Sequence, residues 1–248
     1  MKRKSRAESK KNNVVSIKQW PEGDRRPKKS HMKKGMESLS DAALLGILLQ
    51  SGHQGKDATT LAEEILTQLG GLSGLMSTTS EDLMTYKGVG KTKIARILAA
   101  TEMVKRQIRH PLARLDVSEN PGHLYDYLRV SMAHLERTEF RVLYLNRSRH
   151  LISENVLVKG TPDMSFRYDR KVVETAIEQK ASSLILVHNH PTDLPLASDE
   201  DIELTKALVA ACWRESIPIL DHVVIGKNTL LSLKRYHPEI FEGEDDIA

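Results

Sequence analysis

Two hydrophobic periods divide this chain. From Ser38 to Arg109 apolar residues recur three and four positions apart, the spacing of a helix with one buried face. The stretch "SLSDAALLGILLQSG" places Ser40 ahead of its apolar run, where a hydroxyl can accept from the free N–H groups of a helix start, and closes at Gly52. "DATTLAEEILTQLGG" sets Leu61, Ile65 and Leu69 four residues apart and stops at Gly70-Gly71. With "LSGLMSTT" and "SEDLMTYKGVGKTKIARILAATEMVKRQIR", residues 38–109 read as four or five short helices without a strand.

Beyond the polar connector "RHPLARLDVSENPGH" the texture changes. "LYDYLRVSMAHL" is predicted helical, and "EFRVLYLNRSRHLISENVLVKGT" alternates with the period of strands on either side of the polar turn Asn146–Arg149. On the second strand Ile152, Glu154, Val156 and Val158 are expected to share a face. "DRKVVETAIEQKA" follows as an amphipathic helix, Leu184–Val187 as a buried central strand, and "SDEDIELTKALVAACWRES" as another helix. "IPILDHVVIG" and "TLLSLKRY" supply further strands. The expected architecture is a small all-helical module followed by a mixed domain, α+β or α/β, around one sheet. The divisions are a basic tail over 1–35, the helical module over 36–109, a connector over 110–122, the mixed domain over 123–240 and an acidic end over 241–248.

Charge alters this picture at one place. The net +4 of the 248 residues conceals a tail of thirteen lysines and arginines against three acids, so residues 36–248 are mildly acidic, with 24 basic and 30 acidic residues. Such a tail either contacts nucleic-acid phosphates or is simply solvated. No apolar run approaches the ~20 residues of a membrane span, and the lysine-rich start lacks the apolar core of a secretory leader. The single cysteine, Cys212, excludes a disulfide framework. A reducing, cytoplasmic setting is expected, and any zinc must be held by histidine and carboxylate.

Two segments carry candidate chemistry. In "LMTYKGVGKTKIARILAA", Gly88-Val89-Gly90 joins two helices, and the second opens with Lys91, Thr92 and Lys93. Backbone N–H groups at a helix start, with lysines beside them, suit a phosphate. The segment resembles the helix-hairpin-helix motif, which implies DNA-backbone contact by Gly88, Gly90, Lys91 and Lys93. Tyr86-Lys87 stand where a small residue or proline is usual, and residues 36–109 balance eight bases with eight acids. A packing role is the alternative.

The second segment is "HNHPTDLPLASDED". His188 and His190, at the end of a buried strand, project to the same side. Both rings can reach one ion, and an aspartate in the first turn of the following helix can turn back towards them. Two histidines and an aspartate leave a tetrahedral zinc one position for water, as catalytic sites do. The competing explanation is a capping box, Ser198-x-x-Asp201, beside two unrelated histidines. Upstream, Glu154 is a carboxylate on an otherwise apolar face, suited when buried to taking and returning protons; an edge-strand residue pointing into water is the alternative.

Taken together, "ENVLVKGT…LILVHNHPTDLPLASDEDIELTKAL…ILDHVVIG" resembles the JAMM/MPN+ metalloprotease domain, which has a cytidine deaminase-like fold. With "LSDAALLGILLQSG" and "KGVGKTKIA" upstream, residues 38–237 are similar to the RadC family. The resemblance implies one zinc ion per chain held by His188, His190 and Asp201, with Ser198 assisting the reacting carbonyl and Glu154 as general acid and base. It implies hydrolysis of an amide or isopeptide bond in a peptide or protein substrate. The family's historical link with DNA repair implies an alternative, a DNA-associated protein whose metal site is secondary or acts as a nuclease. Thr192-Asp193 depart from the Ser-Gly pair of many relatives. A partner should fix each histidine's tautomer; Asp221-His222 is the nearest candidate in sequence, although a strand residue meeting a loop carbonyl is the more ordinary expectation.

Overall fold

The computed structural model of the chain describes residues 35–160, 168–191 and 197–242. The basic tail up to residue 34, Thr192-Asp193 and residues 243–248 of the acidic end lie outside them.

Five helices form the first module. Ser40 accepts from the Ala43 amide and starts α1 (Asp41–Leu49), and Asp57 does the same through Thr60 for α2 (Ala58–Leu69), which Gly70 ends at φ 75°. α3 (Leu72–Ser77) and α4 (Ser80–Met84) are short, and α4 opens with a reciprocal capping box of Thr79 and Asp82. α5 (Lys91–Arg109) is the long one, at 19 residues. Leu49, Ile65, Leu83 and Ile97 are fully buried among them. α1 stops before the expected Gly52, with Gln50 at φ 64° as its last capping residue. Gly52 answers a different need: a Cβ there would lie 1.7 Å from the Lys56 carbonyl oxygen.

A 3₁₀ turn (His110–Ala113) leads to α6 (Pro121–Met132), then β1 (Glu139–Leu145), β2 (Leu151–Lys159), α7 (Tyr168–Glu178), β3 (Ser183–Asn189), α8 (Asp199–Trp213), β4 (Ile219–Ile225), β5 (Leu230–Ser232) and the short α9 (Leu233–Tyr236). "TLLSLKRY" is therefore half strand and half helix; the Ser232 hydroxyl accepts from the Arg235 amide and turns the chain. The strand order is β2-β1-β3-β4-β5, with β3 and β4 parallel and the other pairs antiparallel. This is the expected α+β architecture, helices first and then a mixed sheet.

Alternation along the strands builds two cores, one on each sheet face. Phe140, Val142, Tyr144, Leu184 and Leu186 pack against Val172 and Ala176 of α7 and Leu204, Leu208 and Cys212 of α8. Leu143, Leu145, Ile185, Val187, Val223 and Ile225 pack against Leu124, Tyr127, Leu128 and Met132 of α6. β3 is buried on both faces, which explains its unbroken apolar run. Between Phe140 and Arg141 the pairing with β2 slips, so Phe140 faces Val158 while Arg141 faces Val156. Leu157 and Val158 consequently both pack on the α7/α8 side. The pairing slips again between Tyr144 and Leu145, where Ile152 is skipped, so of the face expected for Ile152, Glu154, Val156 and Val158 only Glu154 and Val156 remain together.

Candidate metal centre

β3 and its parallel neighbour β4 end together, with Asn189 opposite Ile225, and the His190 amide donates to the Ile225 carbonyl at 2.7 Å. That bond keeps the extended geometry one residue past the strand, so His188 and His190 leave on the same side and Asn189 on the other. The fully buried Asn189 accepts from the Glu139 amide (2.7 Å) and donates to the Leu135 and Arg137 carbonyls (3.3 and 3.2 Å). It fastens the α6–β1 loop beneath the histidines, a role that an asparagine between two histidines does not advertise.

Asp201 is the acid that turns back; Asp199 and Glu200 are exposed. Its carboxylate does what both competing explanations required. Oδ2 accepts from the Ser198 amide and hydroxyl, each at 2.8 Å, and the Asp201 amide donates to Ser198 Oγ at 3.2 Å, a complete capping box. The same carboxylate places Oδ1 3.3 Å from His188 Nε2 and Oδ2 3.5 Å from His190 Nε2. The two ring nitrogens are 2.8 Å apart. Burial raises the carboxyl's proton affinity, but the two imidazoles facing it, His188 and His190, outweigh that and hold it well below the usual carboxylate range.

These residues fit a zinc ion. Donors around a tetrahedral zinc with bonds of about 2.0–2.2 Å lie roughly 3.3 Å apart. His188 Nε2 to Oδ1 (3.3 Å) and His190 Nε2 to Oδ2 (3.5 Å) are of this size, each to a different oxygen, and the imidazole pair must open by a few tenths of an ångström from 2.8 Å. Among the described residues no fourth histidine, cysteine or acid joins the group, and these supply three donors. Imidazole and carboxylate are donors that zinc accepts, and His188 is buried while His190 is partly open.

Behind His188 stands a partner from β4. His188 Nδ1 is 2.8 Å from His222 Nε2, and His222 Nδ1 is 2.6 Å from Thr205 Oγ1, which donates to the Asp201 carbonyl at 2.5 Å. Thr205 and His222 are completely buried. Burial, and next the His188 ring, keep the proton affinity of His222 well below that of an ordinary histidine. Phe140 stacks on His188 with centroids 6.0 Å apart and meets His222 edge-on at 5.3 Å. Asp221 stays out of the site: its carboxylate accepts from the His222 and Lys234 amides and the Ser232 hydroxyl. Of the pair Asp221-His222, the histidine is the one that reaches the centre. Thr205 was not singled out in the sequence; its place one helical turn beyond Asp201 is the signal that could have found it.

Glu154 is placed elsewhere, and the expectation that it works beside the metal is corrected here. It pairs with Leu143, which pairs with Ile185, so its side chain leaves on the α6 face, whereas His188 pairs with Phe140 on the opposite face. Its Oε1 accepts from Tyr127 Oη at 2.6 Å and lies 3.8 Å from Arg141, which is itself bound to Glu139 at 2.7 Å. Burial, then the charge of Glu154, raise the Tyr127 phenol. Oε2 is buried without a hydrogen-bond partner among the described residues. The polar β2 residues that share the ligand face are Asn155, paired with Val142 and through it with Leu186, and Ser153, paired with Tyr144 and Leu184 farther from the histidines. Ser198 is at the centre, but its hydroxyl is spent on Asp201.

The hairpin residues divide as well. Gly88, at φ 86°, lets the turn approach His53, whose Cβ would be 2.2 Å from an added Cβ. Gly90 caps α5 without a side-chain bond, and Lys91 is exposed beside it. Lys93 is not presented to a phosphate: its ammonium donates to the carbonyls of Ser51 (2.6 Å), Gly88 (2.8 Å) and Gly52 (3.3 Å).

Comparison with known proteins agrees with this geometry. Residues 118–238 match the family described as RadC-like JAB domain, and residues 17–95 match UPF0758 N-terminal. A UPF0758 protein of Pseudomonas savastanoi pv. phaseolicola is 36% identical over 219 residues, 88% of this chain and 97% of that protein. One from Neisseria meningitidis serogroup C is 37% identical over 222 residues, 89% and 98% of the respective chains.

Proposed function

The chain belongs to the UPF0758 family and carries a RadC-like JAB domain, and from this premise we propose that its His188–His190–Asp201 centre serves a zinc-dependent hydrolase acting on amide or isopeptide bonds of a peptide or protein. The observation that carries this reading is the convergence of three donor atoms, each within 4.8 Å of the others, from the end of β3 and the start of α8. A bound zinc with three protein donors supplies a Lewis acid and an acidified water. His188, His190 and Asp201 hold the ion. Ser198, freed when Asp201 turns to the metal, donates its hydroxyl hydrogen to the carbonyl oxygen. Asn155 on the ligand face offers an amide that can orient a substrate carbonyl or N–H, and it cannot take a proton. Glu154, which leaves the sheet by the opposite face, is expected to be dispensable for proton transfer.

That same amide favours a second reading, in which the zinc centre binds an amide-containing partner without cutting it. Metal analysis of the purified full chain, with His188→Ala and Asp201→Ala, comes first. The expected result is about one zinc per chain, lost in both variants. The zinc-loaded protein is then assayed on peptide and isopeptide-linked substrates. Cleavage that survives Glu154→Gln supports the hydrolase; binding without cleavage supports the second reading. A wild type that takes up no zinc on reconstitution overturns both.

A further inference from the structure

Through the largely apolar interior of the sheet's α7/α8 face, among the described residues, runs a continuous polar line from the Asp201 carbonyl through Thr205 and His222 to His188. An imidazole with no accessible surface costs desolvation that a leucine in the same space would not, so packing alone gives no reason for it.

We propose that His222, oriented by Thr205, is a positioning residue that fixes His188 in the tautomer with its hydrogen on Nδ1, leaving Nε2 as the lone-pair donor to the metal. The inference rests on the metal reading above. Donor counting gives the direction. Thr205 Oγ1 and the Asp201 carbonyl oxygen are 2.5 Å apart, and two oxygens that close need a hydrogen between them. The threonine's only hydrogen is therefore committed there, and its oxygen must accept from His222 Nδ1–H across 2.6 Å. A neutral ring with its hydrogen on Nδ1 has a bare Nε2, which accepts from His188 Nδ1–H across 2.8 Å. His188 Nε2 is then bare, and it points at Asp201 Oδ1 and His190 Nε2. Reversing the line would leave the Asp201–Thr205 contact without a hydrogen and place one on the ligating nitrogen. The line begins on the residue whose carboxylate is the third ligand, so one turn of α8 supplies both a ligand and the anchor that orients another.

The test uses the full-length chain. Zinc affinity is measured by competition with a chromophoric chelator for wild type, His222→Leu, His222→Gln, Thr205→Val and Thr205→Ser. Nitrogen–proton imidazole spectra of the metal-free proteins report the tautomer of His188 directly. His222→Leu and Thr205→Val are expected to weaken zinc binding by about 10–100-fold, the usual cost of losing such a partner. Most of the affinity should return in His222→Gln, whose amide oxygen can stand where Nε2 was, and in Thr205→Ser. Thr205→Val should also mix the His188 tautomers. Wild-type affinity in both His222→Leu and Thr205→Val, or a metal-free wild type with the His188 hydrogen on Nε2, overturns the proposal. If His222→Leu does not fold, the Thr205→Val and Thr205→Ser pair decides. A wild type that binds no zinc defeats the metal reading, whereas the tautomer spectra still decide the hydrogen-bond line.

Discussion

At the scale of single residues, Glu154 and Asn155 show how much depends on strand parity. Successive side chains leave a strand by opposite faces, so a one-residue difference separates the α6 core from the metal face. The sequence offers three polar residues in a row, Ser153-Glu154-Asn155, and alternation cannot choose among them. The choice is made by pairing with β1. Glu154 accordingly reads as part of a half-buried polar group with Tyr127 and Arg141, and a stabilising role is the expectation. Tyr127→Phe is expected to lower unfolding free energy by about 1–3 kcal/mol, the worth of a buried bond to a charged group, with zinc content unchanged. Urea unfolding and metal analysis check this; a variant as stable as wild type, or one short of zinc, contradicts it. His188 and His190 were legible because their spacing of two holds on any strand. Asn189 was hidden because its partners come from residues 135–139, and His222, legible only as half of the pair Asp221-His222, is singled out by partners on β3 and α8.

Among the elements, caps and periods were the most readable features: Ser40, Asp57 and Ser198 each start the helix their neighbours imply. Lys93 was misread because a lysine beside a glycine turn carries the same letter whether it faces a phosphate or three carbonyls. Its ammonium ties the start of α5 to the loop after α1, and that contact spans 42 positions of sequence. Lys93→Ala is therefore expected to destabilise the protein by about 1–3 kcal/mol, whereas Lys91→Ala, whose side chain is exposed, should leave the unfolding midpoint unchanged. Equal midpoints for the two variants would remove the staple. DNA contact at this hairpin, if measured, would draw on Lys91 and the α5 amides, with affinity falling steeply as salt rises.

Across the whole molecule, one helical core and two sheet-face cores account for the architecture, and no described helix is long and apolar enough to cross a membrane. Cys212 lies in the α7/α8 core with no exposed surface; burial, then Asp169, push its thiol up to about 12. The native protein should not react with a disulfide reagent at mildly alkaline pH and should react fully once denatured; prompt reaction in the folded state would show that this core opens. The sheet's strand order could not be read from the chain, because β1 sits between β2 and β3 through contacts that only the folded form makes. At Asp201 the helix cap and the metal centre share one side chain: Oδ2 closes the capping box while Oδ1 faces His188. A metal drawing on that carboxylate would therefore tug on the first turn of α8, and the amide protons of Ser198 and Asp201 would become a gauge of occupancy.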